Sequence, residues 1–164
     1  MIPDHLKKSL ESRVASAVTA REAAVDVMKE LQAHYGWLTD EAVGEAAQLL
    51  RLSPLQVEEL ATFYEMIYRR PVGKKVIHVC DSISCWAACC EEIMAHLQVR
   101  LGVEPGGTSA DGAFTLIPCC CMGMCGDGPV MSIGARFYGN LTPEKVDEIL
   151  ELERRSEAGR GNNR

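Results

Sequence analysis

The chain has 164 residues, 47% of them hydrophobic and 24% charged, with a net charge of −6. This balance suits a folded protein of one domain, or a compact domain with a helical extension. It carries no basic stripe interleaved with aromatics, which excludes a nucleic-acid partner, since phosphate binding relies on clustered Lys and Arg. No apolar run nears the roughly 20 residues that span a bilayer. Residues 1–8 lack an apolar signal core, so the expected setting is the cytoplasm, without direct membrane insertion.

Residues 1–72 read as a helical bundle. Pro3 suits a first helical turn, and one long pattern follows through Val14, Val18, Ala23, Val25, Val27, Met28 and Leu31, stopping near Gly36. Trp37 is expected in the core. A second helix starts at Thr39, an N-cap with Asp40 and Glu41 in the first turn. A third opens on Ser53-Pro54-Leu55-Gln56, which combines N-cap serine, first-turn proline and capping-box glutamine.

The character changes from residue 73. Lys75-Val76-Ile77-His78-Val79 has the β-branched content of a strand ending at Cys80. A helix over 84–101 is expected to turn Trp86, Cys90, Ile93, Leu97 and Leu101 toward the core, with Gly102 as C-cap. Residues 114–117 predict a second strand, and 130–133 with 135–138 a hairpin around Gly134. A last helix starts at Thr142-Pro143-Glu144, and residues 155–164 read as a polar, disordered tail. The fold class is thus α/β (α+β), with an α/β layer over 73–154 similar in order to thioredoxin-like folds. No Cys-x-x-Cys occurs, which disfavours dithiol redox chemistry.

All eight cysteines fall between Cys80 and Cys125. In a reducing compartment, metal binding explains them better than disulfides. Two pairs stand out, Cys80-x4-Cys85 and Cys121-x3-Cys125, each following a predicted strand. If those strands are neighbours, four thiolates converge at one end of the sheet. Four thiolates are what a [2Fe–2S] cluster needs, two for each iron. The glycines Gly123, Gly126 and Gly128 could turn backbone N–H groups toward the sulfurs.

Spacing alone leaves alternatives. A zinc site, and with it a zinc-stabilised interaction module, is compatible with both gaps. Cys120 to Cys125 is also a Cys-x4-Cys, so the register of the second pair is open. A Rieske centre would need a second histidine beside His78, and none is comparably placed. Cys89 and Cys90 read as small core hydrophobes. Met122, Met124 and Met131 read as packing around the site, and His5, His34 and His96 as residues of solvated faces.

The motifs taken together resemble a known family. They include Ala61-Thr62-Phe63-Tyr64, Arg70-Pro71-Val72-Gly73-Lys74, Val79-Cys80-Asp81 through Ser84-Cys85, Cys121-Met122-Gly123-Met124-Cys125 and Gly128-Pro129-Val130. Leu141-Thr142-Pro143-Glu144-Lys145-Val146 completes them. Over about residues 10–153 the chain is similar to the 24-kDa-type subunit family of respiratory complex I, the E subunit of bacterial NADH-quinone oxidoreductase. The resemblance implies a thioredoxin-like [2Fe–2S] ferredoxin domain behind the helical bundle. It implies ligands Cys80 and Cys85 for one iron, Cys121 and Cys125 for the other, and it favours iron–sulfur over zinc. Cys89, Cys90 and Cys119 stand outside the family pattern.

The implied partner is a flavoprotein subunit that binds FMN and NADH within the larger complex I assembly. That places the chain peripherally on the cytoplasmic side of the inner membrane. Neither FMN nor NADH is expected on this chain, which has no Gly-x-Gly-x-x-Gly between a strand and a helix. Related subunits occur in NAD-linked formate dehydrogenases and hydrogenases, so an equivalent diaphorase role is the alternative. A homodimer is a possible state of the isolated chain.

Overall fold

In the computed structural model, described over residues 2–160, the chain divides into two compact units, Met1–Pro71 and Val72–Arg164. The first is four helices: α1 (Asp4–Ser16), α2 (Ala24–Tyr35), α3 (Asp40–Leu50) and α4 (Pro54–Phe63). Thr39 caps α3 by accepting the Ala42 N–H at 3.0 Å. Ser53 and Gln56 form the reciprocal capping box on α4, at 3.2 and 2.9 Å. Gly36 ends α2 in a left-handed conformation, φ 86°, which glycine adopts without steric cost. Leu10, Val27, Met28, Leu31, Leu38, Ala46, Leu50 and Val57 fill the centre of this unit.

The single long helix expected up to Gly36 is two helices. Ala17 turns extended after α1. Thr19 Oγ1 then accepts the Glu22 N–H at 3.3 Å, while Glu22 Oε2 accepts the Val18 N–H at 3.0 Å. These bonds resemble a capping box, and Thr19-x-x-Glu22 was its signal in the sequence. Val18, which extended the apolar pattern, is 92% exposed. Trp37 is half-buried beside fully buried Leu38, rather than in the core itself.

The second unit is built on a four-stranded sheet of order β2-β1-β3-β4. Its strands are β1 (Lys75–Cys80), β2 (Phe114–Cys119), β3 (Met131–Ile133) and β4 (Arg136–Tyr138). β1 and β2 are parallel, in a register that sets Lys75 opposite Phe114 and Cys80 opposite Cys119. The two strands therefore leave the sheet at the same end. β3 runs antiparallel to β1, and β4 to β3. A single-turn helix α5 (Ile83–Ala87) follows β1. Helix α6 (Cys90–Leu101) packs on β1, β2 and α7 (Pro143–Arg160), burying Ile93 and Leu97 against Ile77, Val79, Leu116, Met131, Val146 and Ile149. The backbone of α7 is helical through Arg160, beyond residue 155 where a disordered tail was expected; residues 161–164 lie outside the described residues.

The helix expected over 84–101 is also broken. α5 ends at Ala87, with Ala88 as its C-cap, and Cys89 adopts φ 63° and ψ 39° before α6 begins. The break resets the helical register. Cys90, Ile93, Leu97 and Leu101 face inward as the spacing predicted, whereas Trp86 is 55% exposed instead of buried. A left-handed conformation costs a residue with a Cβ about 1–2 kcal/mol, part of which a glycine returns as unfolded-chain entropy. Cys89 is exposed. Replacing it with Gly is therefore expected to stabilise this unit by about 0.5–1 kcal/mol, read as a higher urea midpoint; a lower midpoint would show the strain to be absent.

Glu153 of α7 is buried beneath the sheet edge, where Lys75 Nζ reaches its Oε2 at 2.7 Å and Tyr138 donates to its Oε1 at 3.0 Å. Arg136 adds a contact at 2.9 Å. Burial works against charge on Glu153, but the Lys75 and Tyr138 hydrogen bonds outweigh it and hold the carboxyl below its ordinary range. His96, expected on a solvated face, instead meets Asp147 at 2.9 Å; Arg100 reaches the same carboxylate at 2.7 Å, tying α6 to α7.

Candidate metal centre

Where the strands end, the cysteines gather. Cys80 closes β1 and Cys85 lies within α5; both are 2% exposed. Cys121 follows β2 on an exposed loop, and Cys125 opens a 3-10 turn, Cys125–Asp127. All four line one small recess with Ser82, Ser84, Met122, Met124 and Val130. Cys120, one residue before Cys121, is exposed.

Cys85 meets Cys80, Cys80 meets Cys121, and the Cys121 and Cys125 sulfurs stand 3.3 Å apart. Among the described residues no three His, Cys, Asp or Glu side chains close around a single ion. The four thiols come instead as two pairs, one from each loop.

The environments of the pairs differ. Burial, with the neighbouring Cys80, pushes the Cys85 thiol up to about 11. The Gly123 N–H, 3.4 Å from the Cys121 sulfur, favours the thiolate and lowers that group, with the Cys125 thiol assisting. Cys125 is raised by its partner Cys121, against the pull of the Ser84 hydroxyl. Gly123 adopts φ 84°, the left-handed turn that aims its N–H back at the sulfur.

Two donors escaped the sequence reading. The Val130 backbone bonds the Cys85 sulfur and Ser84 the Cys125 sulfur. The signals were present, since Ser84 precedes a ligand candidate and Val130 ends the Gly128-Pro129-Val130 motif. Gly128 contributes by close packing: a Cβ there would stand 3.2 Å from the Ala88 Cβ and 3.6 Å from the Cys85 Cα, so its lack of a side chain lets the second loop lie on the first. The Cys80 N–H donates to the Val130 carbonyl at 3.0 Å and the Asp81 N–H to the Cys119 carbonyl at 3.1 Å, fixing both loop roots. Met122 and Met124 pack against the buried cysteines, while Met131 belongs to the sheet core.

Comparison with known proteins identifies the family. Residues 10–153 match the family described as thioredoxin-like [2Fe-2S] ferredoxin. The chain belongs to that family. The NADH-quinone oxidoreductase E subunit of Escherichia coli K12 is 39% identical over 145 residues, covering 88% of this chain and 87% of the relative. Its Salmonella typhimurium counterpart is 42% identical over 131 residues, covering 80% and 79%. Among solved structures, NAD+-reducing [NiFe]-hydrogenase in the H2-reduced state superposes with a TM-score of 0.65 at 22% identity, over 78% of this chain and 22% of that one; this likeness concerns the fold.

Membership of this ferredoxin family makes one [2Fe–2S] cluster the cofactor, and the zinc reading is set aside. The donor set fits that cofactor. Thiolate is the ligand that suits bridged iron, and two pairs on facing loops match two irons.

Proposed function

We propose that this chain is the [2Fe–2S] electron-transfer subunit of an NADH-quinone oxidoreductase, exchanging single electrons with the FMN of a partner flavoprotein. In this reading Cys80 and Cys85 hold one iron, and Cys121 and Cys125 the other. The observation that carries the assembly is the 39–42% identity with E-subunit relatives across some four-fifths or more of both chains. The observation that carries the ligands is the meeting of two Cys-bearing loops at the end of parallel β1 and β2.

When bound, the cluster supplies one-electron chemistry; hydride chemistry belongs to the flavin and the protein that holds it. This chain's residues hold, shield and expose. Cys80 and Cys85 are buried, whereas Cys121 and Cys125 reach the surface, so the second loop is the side open to a redox partner. Gly123 and Val130 place backbone donors at sulfur, which favours the more negative, reduced state. No described helix is long and apolar enough to cross a membrane, so the attachment to the cytoplasmic face of the inner membrane is assigned to the rest of the complex.

Helix α5, which carries Cys85, also exposes apolar side chains. Ile83 is 74% exposed and Trp86 55%, on either side of Cys85. An exposed aromatic on a short, well-placed helix is the kind of anchor that carries binding energy, with hot-spot losses of about 2 kcal/mol or more. Trp86→Glu is therefore expected to weaken flavoprotein binding by about 30-fold or more while leaving the visible spectrum unchanged. Titration calorimetry with the flavoprotein checks this, and unaltered affinity would remove Trp86 from the interface.

The functional test uses the holoprotein and its flavoprotein together. NADH is expected to reduce the cluster only when the flavoprotein is present. Reduction by NADH with this chain alone, or none with both, contradicts the proposal. Isolation from the native host is expected to bring down membrane subunits; recovery with a molybdenum or nickel–iron subunit instead would assign the chain to a formate dehydrogenase or hydrogenase.

A further inference from the structure

Cys90 stands outside the family's ligand pattern, yet it is 3% exposed and shares one small buried cluster with Cys80, Cys85 and Val130. Burial, followed by the nearby Cys80, Glu91 and Asp81, pushes its thiol pKa up. The backbone brings it there. Five positions along an unbroken helix rotate a side chain by about 500°, roughly 140° away from the starting direction. Cys85 and Cys90 would then point apart. The left-handed Cys89 breaks that rotation, and Cys90 opens α6 as a buried residue in one cluster with Cys80 and Cys85. The fold accepts a strained, non-glycine residue to seat a thiol behind the ligands.

We propose that Cys90 is a positioning residue that sets the potential of the centre: its buried thiol donates an S–H hydrogen bond to the Cys80 thiolate when the cluster is bound. A thiol is a weak donor. In a dry pocket without competing water it acts on a single sulfur, and donors at sulfur raise the reduction potential by offsetting the charge of the reduced state. The α6 N-terminus, at which Cys90 is the first helical residue, adds its positive end in the same direction.

This inference rests on Cys80 as a ligand, and the test separates the two claims. Holoprotein of wild type, Cys90→Val and Cys90→Ser is titrated potentiometrically, with iron and labile sulfide counted in each. Val keeps the volume without a donor, whereas Ser offers a stronger O–H donor. The expected result is full iron and sulfide in all three, with the Cys90→Val midpoint more negative than wild type and Cys90→Ser at or above it. In reduced wild type, pulsed EPR in D2O is expected to show an exchangeable deuteron coupled to the cluster that Cys90→Val lacks. Intact clusters with one shared midpoint and the same deuteron couplings overturn the role of Cys90. Intact iron and sulfide in Cys80→Ser, with an unchanged spectrum, overturns the ligand assignment beneath it.

Discussion

Cys121→Ser is expected to lose the red-brown absorbance of the holoprotein, whereas Cys120→Ser keeps it. A serine hydroxyl stays protonated where Cys121 is poised toward thiolate, and oxygen is a harder donor than bridged iron prefers. The neighbouring cysteine is not a free substitute. Cys121 meets both Cys80 and Cys125 within the recess and receives the Gly123 N–H, while Cys120 is exposed one residue earlier. Visible spectra and iron content of the two variants, purified without oxygen, decide between the registers. Full absorbance in Cys121→Ser with loss in Cys120→Ser would move the ligand back by one residue.

The second large effect concerns stability rather than the centre. Glu153 is a carboxylate 3% exposed in its side chain, facing Lys75 at 18%. Removing one member of such a pair leaves the other's charge buried and uncompensated, which costs about 3 kcal/mol. Glu153→Ala is expected to lower the stability of the holoprotein by that amount at pH 7, read from urea unfolding. The gentler Glu153→Gln adds a pH signature. Because hydrogen bonding holds the folded-state pKa of Glu153 below its unfolded value, its contribution is complete above the unfolded value of about 4.3. It is lost as pH falls through the folded one. The gap between wild type and Glu153→Gln is therefore expected to hold steady from about pH 8 to 6 and to close on acidification below about 5. A gap that widened on acidification would mean the charge is not what stabilises the contact.

Glu153 also shows what the sequence left unread. Its position on α7 was visible, but its partners are Lys75 of β1 and Arg136 and Tyr138 of β4, two places distant in the chain. Pairing over such distances leaves no periodic trace. Local chemistry was legible where it is local: Thr39 and Ser53 cap their helices through bonds spanning three residues. The end of β1 at Cys80 followed from a β-branched run, whereas β2 runs through Pro118 to Cys119, two residues beyond the expected 114–117. Both misread helices failed for one reason, that apolar spacing continued across a break. In the first, Thr19 and Glu22 hold a turn between α1 and α2 while Val18 keeps the pattern alive. In the second, Cys89 takes a conformation that its residue type does not advertise, and Trp86 turns outward as a result. The gathering of cysteines at one sheet end was inferable only on the condition that two strands are neighbours. The parallel register of Cys80 and Cys119 meets that condition.

The centre itself is tested most directly by EPR of the dithionite-reduced protein, taken with a count of iron and labile sulfide on the same sample. Two irons and two sulfides per chain, with the single unpaired spin of a mixed-valence pair, are the predicted result. A chain carrying one zinc, or iron without labile sulfide and no such signal, would contradict it.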